Sequence, residues 1–136
     1  MSETSVEYFP PTKPWEEFAS GVKLIGMRCS HCGTVAFPAR EVCSKCGRDD
    51  ALEEKVLQGP GKLYTFTEVH VAPAGFPTPY VIGYVDMPDD VRVLGQIDGR
   101  VADLNIGQDV HLRIGVIRAR KDGTQVIGYR FTGEAK

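Results

Sequence analysis

All four cysteines of the chain lie in one short segment, as two Cys-x-x-Cys-Gly motifs that begin at Cys29 and at Cys43. The two-residue spacing lets both sulfurs of a motif face one metal ion, at about 2.3 Å for zinc. The glycine after each second cysteine, Gly33 or Gly47, permits a tight turn that directs backbone amides toward the sulfurs. The pattern therefore predicts a structural zinc site with the ligands Cys29, Cys32, Cys43 and Cys46.

Other uses of paired cysteines stay open at this point. An iron site of the rubredoxin type takes the same four ligands, so spacing does not distinguish iron from zinc. A thioredoxin-like redox pair is disfavoured, because it needs a single Cys-x-x-Cys at a helix start. A catalytic zinc ion keeps one position open for water, whereas four thiolates close the site. His31, inside the first motif, is interpreted as a solvent-facing loop residue.

Downstream of Gly59-Pro60-Gly61 the sequence has the features of consecutive strands, with β-branched and aromatic residues separated by turn signals such as Asp98-Gly99. A barrel or sandwich is expected from short strands at this spacing, and five of them fit an OB (oligonucleotide/oligosaccharide-binding) barrel. The predicted strands are 62–71, 80–87, 91–97, 108–116 and 124–131.

The N-terminal part is interpreted as an arm, residues 1–13, followed by a short helix from Pro14 to Gly21. Proline suits the first helical position, the two glutamates suit the helix N-terminus, and glycine suits the C-terminal cap. In such a helix Trp15 and Phe18 share one face. The predicted fold is thus mostly β, with an arm and helix (1–21), a zinc ribbon (22–58) and an OB domain (59–136). The ribbon is too small for a useful apolar core alone, so metal binding supplies its folding free energy.

No complete catalytic set is found. His70 and His111 fall in predicted strands, the nucleophile-elbow motif is missing, and the cysteines are all assigned to metal. The chain is therefore not expected to be an enzyme on its own. One group of cations near the last hairpin is a candidate contact for a phosphate-bearing ligand, and its simpler interpretation is a solvated hairpin end: Arg118, Arg120, Lys121 and Arg130.

Charge and targeting signals narrow the function classes further. The net charge of −2 opposes a nucleic-acid role, because nucleic-acid binders usually carry a basic surface. Strand aromatics could still stack on bases, although strand alternation places about half of them in the core, an interpretation favoured for Phe66 and Tyr84. The chain has no secretory signal and no apolar run of the ~20 residues that span a membrane, which indicates the cytosol.

An ordered set of short motifs covers nearly the whole chain: Arg28-Cys29-x-x-Cys32-Gly33, Phe37-Pro38-x-Arg40, Cys43-x-x-Cys46, Gly59-x-Gly61, Pro79-Tyr80 and Ile106-Gly107-x-x-Val110. With this set the chain resembles a family of acyl-CoA-associated proteins in which a rubredoxin-like zinc ribbon precedes an OB fold. The resemblance extends to the small subunit of benzoylsuccinyl-CoA thiolase. It implies a non-catalytic subunit that stabilises a thiolase-like enzyme, or alternatively a MaoC-like hydratase, and contributes to its coenzyme A site.

A subunit of this kind is expected to expose apolar anchors for its partner. The candidates are Tyr8, Phe9, Trp15 and Phe18, although packing on the chain's own ribbon or barrel is the alternative for Trp15 and Phe18. Two other functions stay as alternatives. One is a nucleic-acid-binding zinc-ribbon and OB module, and the other is an enzyme that acts alone.

Overall fold

A computed structural model of the chain describes residues 6–71 and 78–133, and strands dominate both ranges. None of the helical segments in these ranges has the length and apolar character needed to cross a membrane. One turn of 3-10 helix covers Val101–Asp103. The strands are β1 (Val6–Tyr8), β2 (Trp15–Phe18), β3 (Gly21–Cys29), β4 (Val35–Ala36), β5 (Leu52–Leu57), β6 (Gly61–Val69), β7 (Tyr80–Met87), β8 (Val91–Ile97), β9 (Asp109–Ala119) and β10 (Gln125–Thr132).

The last five strands close into a barrel. Strands β6, β7 and β8 form an antiparallel meander, and β10 pairs antiparallel with β9. The barrel closes on one side where β10 runs parallel to β8, and on the other where β9 pairs with the start of β6 at Gly61 and Lys62. The prediction of a five-stranded OB-like barrel is therefore confirmed.

The N-terminal arm joins this barrel. Strand β1 pairs in parallel with β10, with Val6 opposite Gln125 and Tyr8 opposite Ile127. The next residue continues the contact, since the Phe9 amide donates to the Ile127 carbonyl oxygen at 2.9 Å. Residues 1–5 of the predicted arm lie outside the described residues.

The predicted helix at 14–21 is wrong. Trp15–Phe18 is strand β2, which forms an antiparallel hairpin with β3 and places Trp15 opposite Leu24. Cross-strand pairing outweighs the weak helical signals of so short a segment, and tryptophan and phenylalanine favour strands. Because side chains alternate along a strand, positions 15 and 18 face opposite ways rather than sharing one face.

The second sheet is built around β3. Strand β5 pairs antiparallel with β3 along one edge, and β2 and the two-residue β4 occupy the other edge in succession. Gly26 is required at the centre, because a Cβ there would lie 2.5 Å from the Ala36 carbonyl oxygen of β4.

One hydrophobic core serves both sheets. Buried side chains of the ribbon sheet, those of Trp15, Leu24 and Leu57, belong to the same cluster as the barrel residues Leu63, Val85 and Phe131. The base of the ribbon is therefore packed on the barrel. The division at residue 58/59 remains our proposal for the domain boundary.

Candidate metal site and binding groove

The four cysteine sulfurs converge at the tip of the ribbon sheet. Their Sγ atoms all lie within 4.8 Å of one another. The Sγ atoms of Cys29 and Cys46 are 3.6 Å apart, and so are those of Cys32 and Cys43. A tetrahedral zinc site with bonds of about 2.3 Å requires sulfur–sulfur separations of about 3.8 Å. The geometry thus fits one tetrahedral ion, and these separations are too long for disulfide bonds.

Two matching turns produce this arrangement. The Gly33 amide donates to the Cys29 carbonyl oxygen at 2.7 Å, and the Gly47 amide donates to that of Cys43 at 2.9 Å. Both glycines have positive φ, +83° and +77°, which side-chain-bearing residues rarely adopt. The repeated Cys-x-x-Cys-Gly motif is therefore a repeated backbone shape. His31 is exposed and supplies no atom to the sulfur cluster.

Local hydrogen bonds prepare individual sulfurs for metal. The Thr34 hydroxyl, 3.2 Å from the Cys32 Sγ, and the Thr34 backbone amide lower the pKa of Cys32 to about 6. Backbone amides of Cys46 and Lys45 lower the pKa of Cys43. The Arg48 amide also lowers the pKa of Cys46, but burial and the neighbouring sulfurs outweigh it and raise that pKa to about 11. Four thiolates this close need a cation at their centre, which the donor set is suited to hold.

The four anchor candidates have different environments. Trp15 is only 5% exposed and packs in the shared core, so its prediction as an exposed anchor is wrong, because its place in the β2–β3 hairpin turns it inward. Phe18, on the opposite face, is 39% exposed and Phe9 is 60% exposed. Tyr8 is also exposed, and its ring makes an edge contact with Trp15 at 5.9 Å between centroids.

The cation candidates do not form one cluster. Arg130 lies half-buried at the far end of β10, where its Nε donates to the Asp98 carboxylate at 2.8 Å. Arg113 binds the same carboxylate. Burial alone raises the pKa of Asp98, but hydrogen bonds from Arg113 and Arg130 outweigh it and hold that pKa below its ordinary value of 3.8. Arg130 therefore has a structural role at this ion cluster.

Two of the other cations meet at a groove in the barrel surface. Its volume is about 390 Å³. Arg118 and Arg120 line it together with residues of β7, β8 and β10 and with the Phe9-Pro10 segment after β1. Arg120 also binds Glu7, with 2.9 Å between its Nη2 and the carboxylate. Lys121 is exposed in the β9–β10 turn. The predicted anchor Phe9 and the predicted cations Arg118 and Arg120 thus share one surface feature.

This groove was not predicted from the sequence. Phe66 packs against the core as expected, but Tyr84 is 43% exposed on the outside of β7, so its interpretation as a core residue is wrong. Tyr84 faces Leu94 of β8 in the strand register, and Leu94 is 48% exposed. Strand β7 alternates regularly, with Val81, Gly83 and Val85 buried, so Tyr84 points outward. The groove could have been predicted from the apolar residues that alternate with the buried valines of β7 and β8, because such residues face the outside of the barrel.

Two family models match consecutive parts of the chain. Residues 22–53 match the model described as the rubredoxin-like zinc ribbon domain of ChsH2, and residues 54–115 match the C-terminal OB-fold domain of ChsH2. A solved structure, the Ltp2-ChsH2(DUF35) aldolase, aligns with a TM-score of 0.62 over 79% of this chain and 84% of that one. At 24% identity this likeness shows the fold alone.

Two named relatives align over most of the chain. A DUF35 domain-containing scaffold protein of Methanocaldococcus jannaschii is 42% identical over 126 residues, which cover 88% of this chain and 87% of the relative. The benzoylsuccinyl-CoA thiolase subunit BbsA of Thauera aromatica is 35% identical over 108 residues, which cover 79% of this chain and 74% of the relative.

Proposed function

We propose that this chain, which belongs to the DUF35 family of zinc-ribbon and OB-fold proteins, is a non-catalytic accessory subunit of an acyl-CoA-processing enzyme, with a thiolase-superfamily enzyme as its partner. The observation that carries the proposal is the 35% identity to a named thiolase subunit over 79% of this chain. The scaffold name of the 42% identical relative supports the same role.

The chemistry of the described residues supports a non-catalytic role. The four thiols face one another, so they are placed to bind a metal rather than to attack a substrate. His70 binds Glu68 at 2.8 Å on the surface, where it is 67% exposed. A general base of a hydrolase or transferase is usually oriented beside a nucleophile in a sheltered site. The nucleophile of the reaction is therefore assigned to the partner.

We assign Cys29, Cys32, Cys43 and Cys46 as ligands of a structural zinc ion. When bound, zinc supplies the bonds that hold the two cysteine turns together. The match to a zinc ribbon model and the convergent sulfurs support this assignment. Iron takes the same ligands, and elemental analysis of protein purified from its native host distinguishes the two metals.

Partner and ligand contacts are assigned to exposed groups. Tyr8, Phe9 and Phe18 remain candidate anchors for the enzyme. Arg118, Arg120 and Lys121 remain candidates for contact with the phosphates of coenzyme A, whereas Arg130 is held by Asp98. The reducing cytosol, where thiols stay available for metal, remains the predicted compartment.

The test is recovery of the tagged chain from extract of its native host, with mass spectrometry of the proteins that co-purify. A thiolase-superfamily enzyme in stoichiometric amount supports the proposal, provided that the pure chain alone turns over no acyl-CoA. A stoichiometric hydratase changes the partner class to the MaoC-like alternative. Recovery of the chain alone, or with nuclease-sensitive nucleic acid, overturns the proposal.

A further inference from the structure

We propose that the groove beside Phe9 is the surface that holds the partner enzyme, and that its occupant is an extended segment of that enzyme bearing apolar side chains next to a carboxylate. The inference rests on the proposed function, because it assumes that a partner enzyme exists. It specifies the surface to which the enzyme binds and the kind of enzyme segment that this surface recognises.

The groove is apolar at its centre. Its floor and walls include Ile82, Leu94, Ile117, Val126 and Tyr129, and the Phe9-Pro10 segment forms one rim. Exposed apolar surface continues beyond it, since Tyr84 stands opposite Leu94 on the outer face of the barrel. Contiguous apolar surface of this kind on a small protein marks a binding site, and aromatic residues are enriched in such sites.

The charge of the groove selects an anionic occupant. Among the described residues that line it, Arg118 and Arg120 are the charged ones, and both are cations. Glu7 reaches Arg120 from outside the lining and binds its guanidinium at 2.9 Å. A carboxylate on the partner is complementary to these arginines. Charge complementarity of this kind orients the two proteins and raises their association rate.

The backbone beside the groove suits an extended segment. Strand β10 covers the edge of β8 only at Gln96 and Ile97, so within the described ranges no strand lies beside Val91–Gly95. One main-chain acceptor of β8, the Leu94 carbonyl oxygen, is already occupied by the Tyr129 hydroxyl at 2.9 Å. Strand edges of this kind bind extended peptides through main-chain hydrogen bonds, while pockets beside them select side chains.

The Phe9 rim is held in place by the barrel itself. Phe9 is bonded to Ile127 through its amide, and its carbonyl oxygen lies where only glycine fits on β10: a Cβ at Gly128 would be 2.8 Å away. The rim therefore belongs to the folded barrel, and the groove exists before the partner arrives. A preformed site loses less entropy on binding than one that must be ordered.

The experiment uses the full chain and the enzyme identified by co-purification. Leu94→Asp places a charge in the groove, and the matched control Ile106→Asp places one at an apolar residue that is 63% exposed and outside the groove. Leu94→Asp is expected to weaken binding to the enzyme by about tenfold or more, as loss of a central contact does, and Ile106→Asp by less than about twofold. Unfolding midpoint and metal content verify that both variants are folded.

Two further measurements test the charge complementarity of the groove and the position of the contact with the enzyme. Glu7→Gln releases Arg120 for the partner and is expected to tighten binding by a few-fold, whereas Arg120→Glu weakens it. A photo-crosslinking residue in place of Leu94 is expected to label an enzyme segment that contains apolar residues and Asp or Glu, and the same residue in place of Ile106, as the control, is expected to label none.

The outcomes separate the two proposals. Recovery of no enzyme with the unmodified chain overturns the proposed function and this inference together. Recovery of the enzyme, with crosslinks from position 106 but not from 94, overturns the inference alone. Crosslinks from position 94 to a second copy of this chain, or equal binding by the Leu94→Asp and Ile106→Asp variants, also overturn the inference alone.

Discussion

The tip of the ribbon and the barrel are ordered by different forces. Between residues 29 and 51, the buried apolar side chains are those of Cys29 and Cys43, both of them candidate metal ligands. The barrel instead buries a continuous set of aliphatic and aromatic side chains around Phe131, which is fully buried. A barrel can therefore lose one contact and keep its shape. Apart from Val35 and Phe37, which pack against the core, the tip has the proposed metal ion as its main source of stability.

The magnitudes support this contrast. A four-cysteine zinc site contributes about 10–16 kcal/mol of apparent binding free energy at neutral pH. Burying one aliphatic or aromatic side chain contributes only about 1.5–3 kcal/mol, so a barrel needs many of them. The base of the ribbon is intermediate, because its Trp15, Leu24 and Leu57 belong to the barrel core. The boundary between the two kinds of stability thus lies within the ribbon.

Removal of the metal should have the largest effect. Treatment with a chelator, or the substitution Cys43→Ser, is expected to unfold residues 29–51 while the barrel persists, because little else in the tip is buried. Amide spectra by nuclear magnetic resonance should lose the dispersed signals of the tip and keep those of β6–β10.

The control for metal loss is His31→Ala, which should retain one metal ion per chain because His31 lies outside the sulfur cluster. Loss of the barrel signals together with those of the tip would contradict the contrast, and would show that ribbon and barrel fold as one unit.

Substitutions at Trp15 and Phe18 probe the seam between the two regions. Trp15→Ala is expected to lower the free energy of unfolding by about 3 kcal/mol, because a buried aromatic residue leaves a cavity. Phe18→Ala, on the exposed face of the same strand, should cost less than about 1 kcal/mol. Denaturant titrations of both variants measure the difference. Equal losses would contradict the strand assignment and favour a shared face.

Asp98 provides the smallest effect, confined to the barrel. Its pKa is depressed in the folded chain, so its ion cluster stabilises the fold above the ordinary carboxyl pKa of 3.8 and loses that contribution as pH falls through the folded value. Asp98→Asn is expected to cost about 2 kcal/mol at pH 7, and the difference from the unmodified chain should shrink below pH 4.

The matched control for this cluster is Asp103→Asn, because Asp103 pairs with Arg100 on the surface, where both are mostly exposed. Such pairs contribute little, so its unfolding curve should hardly move. Equal behaviour of the two variants at pH 7 would mean that the Asp98 cluster is no stronger than a surface pair.

Local patterns explain which features were predictable. The cysteine site follows from spacing along one short segment, and the two glycine turns have the positive φ that the motif requires. The five barrel strands are marked by turns such as Asp98-Gly99, where Gly99 has φ +111°. In both cases the physical requirement is contained within a few residues.

Features that depend on pairing between strands were harder to predict. Trp15–Phe18 carries helix-like end signals, and only its register with β3 makes it a strand with Trp15 buried. Tyr84 lies outside the core because Val81, Gly83 and Val85 are the positions of β7 that face inward, and a strand's sequence alone does not fix which of its faces is buried. The groove joins Phe9 to Arg118 and Arg120 through the β1–β10 pairing, which no local pattern in the sequence specifies.

The pairing of β1 with β10 has a consequence for synthesis on the ribosome. Val6 leaves the exit tunnel well before Gln125 and cannot pair with it until residue 125 has emerged, whereas every strand partner of the ribbon sheet lies between residues 15 and 57. Local contacts form before distant ones, so the ribbon precedes the barrel. The groove beside Phe9 is therefore formed only after β10 is made, so a chain truncated before β10 would lack one wall of the surface that we propose for the enzyme.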